Sequence, residues 1–196
     1  MFGWVLLIAL AAVVLWVIGA YNGLIGLKNQ TINAFKQIDV QLKRRHDLIP
    51  NLINAVRGAM DFEKSTLEAV IQARNQAVKI QAGVTPGKGV KQLAAAEAQL
   101  GAALSRLNVV VEQYPQLKAT ANIGQLQEEL ASTENRVGFA RQMYNDTATQ
   151  YNTKQQQFPT NLVAGLAKAE AAELWEIEDQ AERAVPQVDL STKPRQ

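Results

Sequence analysis

From Phe2 to Tyr21 the chain reads FGWVLLIALAAVVLWVIGAY, and neither Asp, Glu, Lys nor Arg occurs between Phe2 and Leu27. Twenty residues at helical rise span about 30 Å, the thickness of a bilayer's hydrocarbon core, and the Phe, Val, Leu and Ile side chains favour insertion by roughly 3–6 kcal/mol. The pattern predicts a transmembrane helix whose lipid-facing and interfacial side chains include Phe2, Trp4, Leu7, Leu10, Val14, Trp16, Ile18 and Tyr21. Small residues at Ile18-Gly19-Ala20 would suit a signal peptidase, but a signal peptide starts with positive charge and this chain starts Met-Phe-Gly-Trp. The segment is expected to stay attached as an anchor over residues 1–27.

Beyond the anchor the apolar positions change period. Leu93, Glu97, Leu100, Leu104, Leu107, Val111 and Tyr114 alternate four and three apart, which places them on one seam of a helix. Ile123, Leu126, Leu130, Thr133, Val137, Ala140, Tyr144, Thr147, Tyr151, Lys154 and Phe158 keep that spacing over about five heptads, the signature of left-handed packing in a bundle or coiled coil. Ile32, Phe35, Leu42, Ile49, Leu52, Ile53, Val56 and Met60 make a third stripe, continued by Leu67, Val70 and Ile71. No strand is expected. Gly83 to Gly89 reads as a turn, and Tyr114-Pro115 ends a helix because the residue before proline is pushed out of helical geometry. Pro50 falls inside an apolar stripe and predicts a kink or restart.

The expected fold is therefore all-α, an N-terminal transmembrane helix continuing into an antiparallel bundle of long helices. The bundle is placed at 28–160, with helices at about 28–82, 90–113 and 117–157, followed by a short acidic helix at 161–185 and a tail at 186–196. With 20 basic and 18 acidic residues the net charge is +2, too balanced for a dense nucleic-acid-binding face. The absence of cysteine removes disulfide frameworks, thiolate zinc sites and cysteine nucleophiles.

Several motifs carry a family resemblance: Tyr21-Asn22-Gly-Leu24; Gln37 to Leu52 with Asp47-Leu-Ile-Pro50-Asn-Leu52; Thr133-Glu134-Asn-Arg136 with Ala140-Arg141; and the paired Tyr144-Asn145 and Tyr151-Asn152, followed by Phe158-Pro-Thr-Asn161. Together they resemble the LemA family of bacterial membrane proteins over most of the chain. Glu176, Glu178, Pro186 and Val188 resemble that family's acidic, proline-containing tail, although Ala-Lys-Ala-Glu-Ala-Ala-Glu-Leu stands before Trp175 where aromatic and glycine residues are usual. The resemblance implies a membrane helix and a helical bundle, and brings no established biochemical activity with it.

Candidate chemistries fail on their own requirements. Gly83 to Gly89 has three residues between Gly83 and Gly87 where a phosphate-binding loop needs four, and Gly89 follows Lys88 where Ser or Thr is required. A bundle di-iron centre needs Glu-x-x-His pairs, and His46 is the sole histidine. His46 is expected to be solvated or in a groove beside Arg44, Arg45 and Asp47. No cofactor, metal or catalytic set is expected, and an enzyme is not.

What remains is assembly. Lys43, Arg44 and Arg45 are expected to pair with Asp39, Asp47 or acids of a neighbouring helix rather than with lipid, since a straight helix carries residue 43 about 33 Å beyond Tyr21. Glu134, Arg136 and Arg141, with Glu128 or Glu129, are spaced for pairing across a helical turn or between helices. Glu97, Thr133 and Lys154 are polar residues on apolar seams, positions that specify alignment and partner. Tyr144, Tyr151 and Phe158 form an aromatic ladder, read first as core and alternatively as a strip for a partner helix. Lys43, Arg44, Arg45, Glu97, Glu134, Arg136, Arg141, Tyr144, Tyr151 and Trp175 are the candidate assembly or partner contacts.

The expected function is a membrane-anchored scaffold that self-assembles into a homo-oligomer and organises partners or the membrane. The alternative is a regulatory adaptor or sensor that binds a specific partner protein. Expected partners are the lipid bilayer, further copies of the chain and other membrane proteins, with no nucleic acid. Lys28, Lys36, Lys43, Arg44 and Arg45 follow the span and no Lys or Arg precedes it, which favours a single-pass protein of the bacterial inner membrane with its bulk cytoplasmic rather than periplasmic.

Overall fold

The structure is a computed structural model and describes residues 2–57, 63–114 and 121–176 of the 196. Among the described residues there are five helices and no strand: α1 (Phe2–Arg57), α2 (Lys64–Gln81), α3 (Val90–Glu112), α4 (Ala121–Gln156) and the short α5 (Thr160–Ala164). The expected all-α architecture is present, with the apolar N-terminal segment running without a break into the bundle.

Helix α1 has 56 residues, which makes it about 84 Å long. None of residues 2–23 is buried, and Trp4, Leu7, Leu10, Val14, Trp16, Ile18 and Tyr21 present their side chains outward. The first side chain to enter a protein interior is Leu24, at 1% exposure. By length and composition the exposed part is a candidate membrane span.

The helices form two antiparallel pairs, α1 with α4 and α2 with α3. Phe35 meets Tyr144 edge-to-face with ring centroids 5.6 Å apart, and Arg45 meets Glu134. In both, the residue numbers sum to 179, so one register holds along the α1–α4 seam. Ala34, Ala140 and Ala148 lie buried on that seam and let the two backbones approach closely.

Two apolar clusters fill the bundle. The one nearer the anchor joins Leu24, Ile38, Leu42, Leu93, Val137, Tyr144 and Trp175; the farther one joins Ile49, Ile53, Val70, Leu100, Leu107 and Ile123. The α3 seam is buried from Leu93 to Val111 as its spacing predicts. On α4 the buried positions follow the heptad from Thr133 to Tyr144 and again at Tyr151, while Ala148 and Gln155 are buried one position past Thr147 and Lys154. That slip is the drift of a 3.6-residue turn against a seven-residue repeat. It leaves Lys154 half-buried and Phe158, the last rung of the expected aromatic ladder, 80% exposed.

Two further expectations are corrected. No restart occurs at Pro50, because α1 continues as one helix to Arg57. Proline removes the N–H that would bond the carbonyl four residues earlier. That carbonyl belongs to His46, and Arg74 Nε of α2 donates to it at 3.2 Å, so the orphaned acceptor is satisfied from a neighbouring helix. The expected continuous helix over 28–82 is α1 and α2, with Met60 outside the described residues. The acidic segment is not a helix over 169–176, where it runs extended along α4. Glu178, Pro186 and Val188 lie outside the described residues.

Candidate functional site

A polar layer separates the two apolar clusters. Arg45 and His46 are neighbours on α1, and both are buried, at 5% and 2% exposure. The Glu97 carboxylate of α3, fully enclosed, accepts from Arg45 Nη1 at 3.2 Å with one oxygen and faces His46 Nε2 at 2.7 Å with the other. Arg45 Nη2 reaches Glu134 of α4 at 2.7 Å, where the layer opens to solvent with the Glu134 side chain 47% exposed. One guanidinium thus ties three helices. A buried charge is tolerable only when paired and hydrogen-bonded, and the fork of Arg45 supplies both bonds. Gly101 packs beside it, and a Cβ there would stand 3.8 Å from Arg45 Nη2, in ordinary van der Waals contact.

The second constellation is a ladder on α4. Asn152 Nδ2 donates to the Ala172 carbonyl and its Oδ1 accepts from the Ala172 N–H, both at 2.8 Å. Asn145 does the same for Trp175, at 3.0 and 2.8 Å. Between them Tyr144 Oη donates at 2.6 Å to the Glu173 carbonyl, and the Glu173 N–H donates to the Pro86 carbonyl at 2.9 Å. The spacing works because seven residues of helix and three of extended chain each rise about 10 Å. The strap 169–176 is therefore held mainly through its backbone. Its side chains add two anchors: Glu173 Oε2 accepts from the Val90 N–H at 2.8 Å, capping α3, and Trp175 lies under the Arg141 guanidinium, 4.8 Å from the ring centroid. Burial first, and then the Glu173 carboxylate, push the Tyr144 hydroxyl pKa well above the usual phenol range; burial and Glu170 push Tyr151 the same way.

The sequence-predicted contacts therefore divide. Arg45, Glu97, Tyr144, Tyr151 and Trp175 are buried inside the chain, where they join its own elements. Arg45 pairs across helices as expected, but His46 is corrected from a solvated residue to an enclosed partner of Glu97. Glu134 pairs with Arg45 of α1, and Arg141 packs on Trp175. Thr133 is buried and bonds back to the Leu130 carbonyl at 2.8 Å, so it links no second helix. Lys43, Arg44 and Arg136 are exposed. Sequence reading missed Arg74 and the backbone-holding role of Asn145 and Asn152. The seven-residue spacing of the Tyr-Asn pairs was the available signal, but nothing in it says that the occupant is the chain's own extended strap.

These features define a class: a helical bundle on a candidate membrane-spanning helix, organised by an internal ion-paired layer and a backbone-gripping ladder. The family model for the LemA family matches residues 34–190, and the chain belongs to that family. It is similar to Protein LemA of Metamycoplasma hominis, 30% identical over 147 residues, covering 75% of this chain and 64% of that protein. It is also similar to Magnetosome protein MamQ 2 of Paramagnetospirillum magneticum, 25% identical over 80% of this chain and 64% of the relative. Magnetosome protein MamQ of Magnetospirillum gryphiswaldense is 24% identical over 80% of this chain and 65% of its own length. The chain thus spans less than two thirds of these relatives' length. None of these names is that of an enzyme.

Proposed function

We propose that the chain is a membrane-anchored scaffold. Phe2–Tyr21 crosses a bacterial inner membrane once, the bundle stands on the cytoplasmic side, and copies assemble to organise partners or the membrane itself, with no catalytic step. The observation that carries assembly is the exposure of large apolar side chains on α1 and α4. Val40 and Phe139 sit at one level of the 179 register with 58% and 74% exposure, and Met143 follows one turn from Phe139 at 45%. Large apolar side chains grouped on the outside of a bundle favour a second surface over water. Lys43, Arg44 and Arg136 stay exposed at nearby levels, free to set register between copies. The charges after the span support the orientation. The relatives named for the magnetosome, a cellular body rather than a reaction, support an organising role.

Mass photometry of the detergent-solubilised protein tests this. Oligomers are expected, and Phe139→Glu with Met143→Glu should convert them to single copies with unchanged helical content. A wild-type protein that is monomeric at every concentration sinks the proposal.

A further inference from the structure

The end of the bundle nearest the anchor collects basic residues that are far apart in sequence. A cavity of about 530 Å³ is bounded there by Lys28 of α1, Lys88 of the α2–α3 turn, Lys168 and Glu170 at the start of the strap, and Tyr151 of α4. The ion pairs among the described residues are Arg45 with Glu97 and Glu134, His46 with Glu97, and Lys91 with Glu176, so none neutralises these three lysines. Glu170 alone opposes them, and the cavity is net positive. The Tyr151 hydroxyl, on a residue 3% exposed, has no hydrogen-bond partner among the described residues. A buried hydroxyl without a partner is costly, and a phosphate oxygen is the acceptor it lacks.

Position selects the ligand. Lys28 stands about 10 Å beyond Tyr21 along α1, within reach of the headgroup layer for a lysine stem that leans back toward it. The 179 register brings the end of α4 level with Tyr21 itself. Phe158 follows there, 80% exposed, and Leu162 and Leu166 of the next segment are 66% and 75% exposed, apolar side chains that a bilayer interface would receive. We propose that this cavity holds the phosphate of an anionic phospholipid headgroup, gripped by Lys28, Lys88 and Lys168 and by the Tyr151 hydroxyl. The bundle then does not float above the lipid on its anchor; it is seated on it. This rests on the membrane-anchoring part of the proposed function and is independent of self-assembly.

Native mass spectrometry of the full chain, released from detergent with phosphatidylglycerol or phosphatidylcholine added, tests the site. Wild type should retain phosphatidylglycerol selectively. Each basic residue at a membrane surface contributes about a fivefold factor, so Lys28→Gln, Lys88→Gln, Lys168→Gln together should cut retention about a hundredfold. Glu170→Gln should raise it, and this second variant decides the matter if the triple variant fails to fold. Equal retention of the two lipids, an unchanged triple variant, or a Glu170→Gln protein that gains nothing overturns the proposal. So does displacement of the lipid by glycerol phosphate at equal concentration, which would assign the site to a soluble phosphate. The same spectra count subunits: a monomer that selects phosphatidylglycerol removes the scaffold and keeps this site, and an unselective oligomer does the reverse.

Discussion

At the scale of single residues the most instructive position is Pro50. A proline inside a helix costs about 3 kcal/mol or more, partly through the unbonded carbonyl four residues back. Here Arg74 Nε supplies that bond at 3.2 Å. The two residues are therefore energetically coupled. Arg74→Ala should destabilise the protein by about 1–3 kcal/mol when Pro50 is present, because the buried His46 carbonyl is left without a donor. In a Pro50→Ala background the helix can bond that carbonyl itself, and the same Arg74→Ala change should cost clearly less. A double-mutant cycle of urea unfolding measures the difference, and equal costs in both backgrounds would falsify the assignment. The sequence announces the proline but not its remedy, since Arg74 lies 28 residues from His46 on another helix. His46 was misread for the same reason: its basic neighbours argue for solvent, and only the fold brings Glu97 to it.

Elements were legible where one physical signal decided them. The apolar span, the α3 seam and the α4 heptads as far as Tyr144 follow directly from spacing. The strap was not legible, because Ala-Lys-Ala-Glu-Ala-Ala-Glu-Leu is a run of strong helix formers. Tertiary bonds override that preference: Ala172, Glu173 and Trp175 each have both N–H and carbonyl engaged by Asn152, Tyr144, Asn145 or Pro86. This grip has a pH dependence. Tyr144 holds its proton in the fold well above the pH, about 10, at which an unfolded tyrosine loses it. The stabilisation is complete below that pH and is lost as pH rises past it, since the unfolded chain alone can release the proton. Thermal midpoints should therefore hold up to about pH 10 and fall as pH rises beyond it. Tyr144→Phe should be less stable at neutral pH by about 1–3 kcal/mol, from the Glu173 carbonyl it abandons, and its alkaline decline should be shallower.

For the whole molecule the polar layer is the organising feature, because it lies between two apolar clusters that would otherwise tolerate sliding. Glu97→Gln keeps the shape and removes the charge, leaving Arg45 buried with only the half-exposed Glu134. A loss of about 3 kcal/mol is expected, and calorimetry or denaturant titration reads it. Replacing Arg45, His46 and Glu97 together by apolar residues of similar volume should recover most of that loss, which separates the cost of an unpaired charge from the worth of the pair. The seams made Glu97 visible as an anomaly. They could not show that its partners are internal, because seam polarity looks the same whether the matching charge belongs to the same chain or to another copy.

The unbroken length of α1 has a mechanical corollary. Residues 22–57 carry α1 about 54 Å past the candidate membrane span, in one helix that continues through Pro50. A span that leans by a further 10° to match a thinner bilayer swings the distal tip sideways by about 9 Å. In the proposed anchoring, bilayer thickness becomes leverage: a change of a few ångströms in the lipid is amplified into a displacement as wide as a helix at the far end.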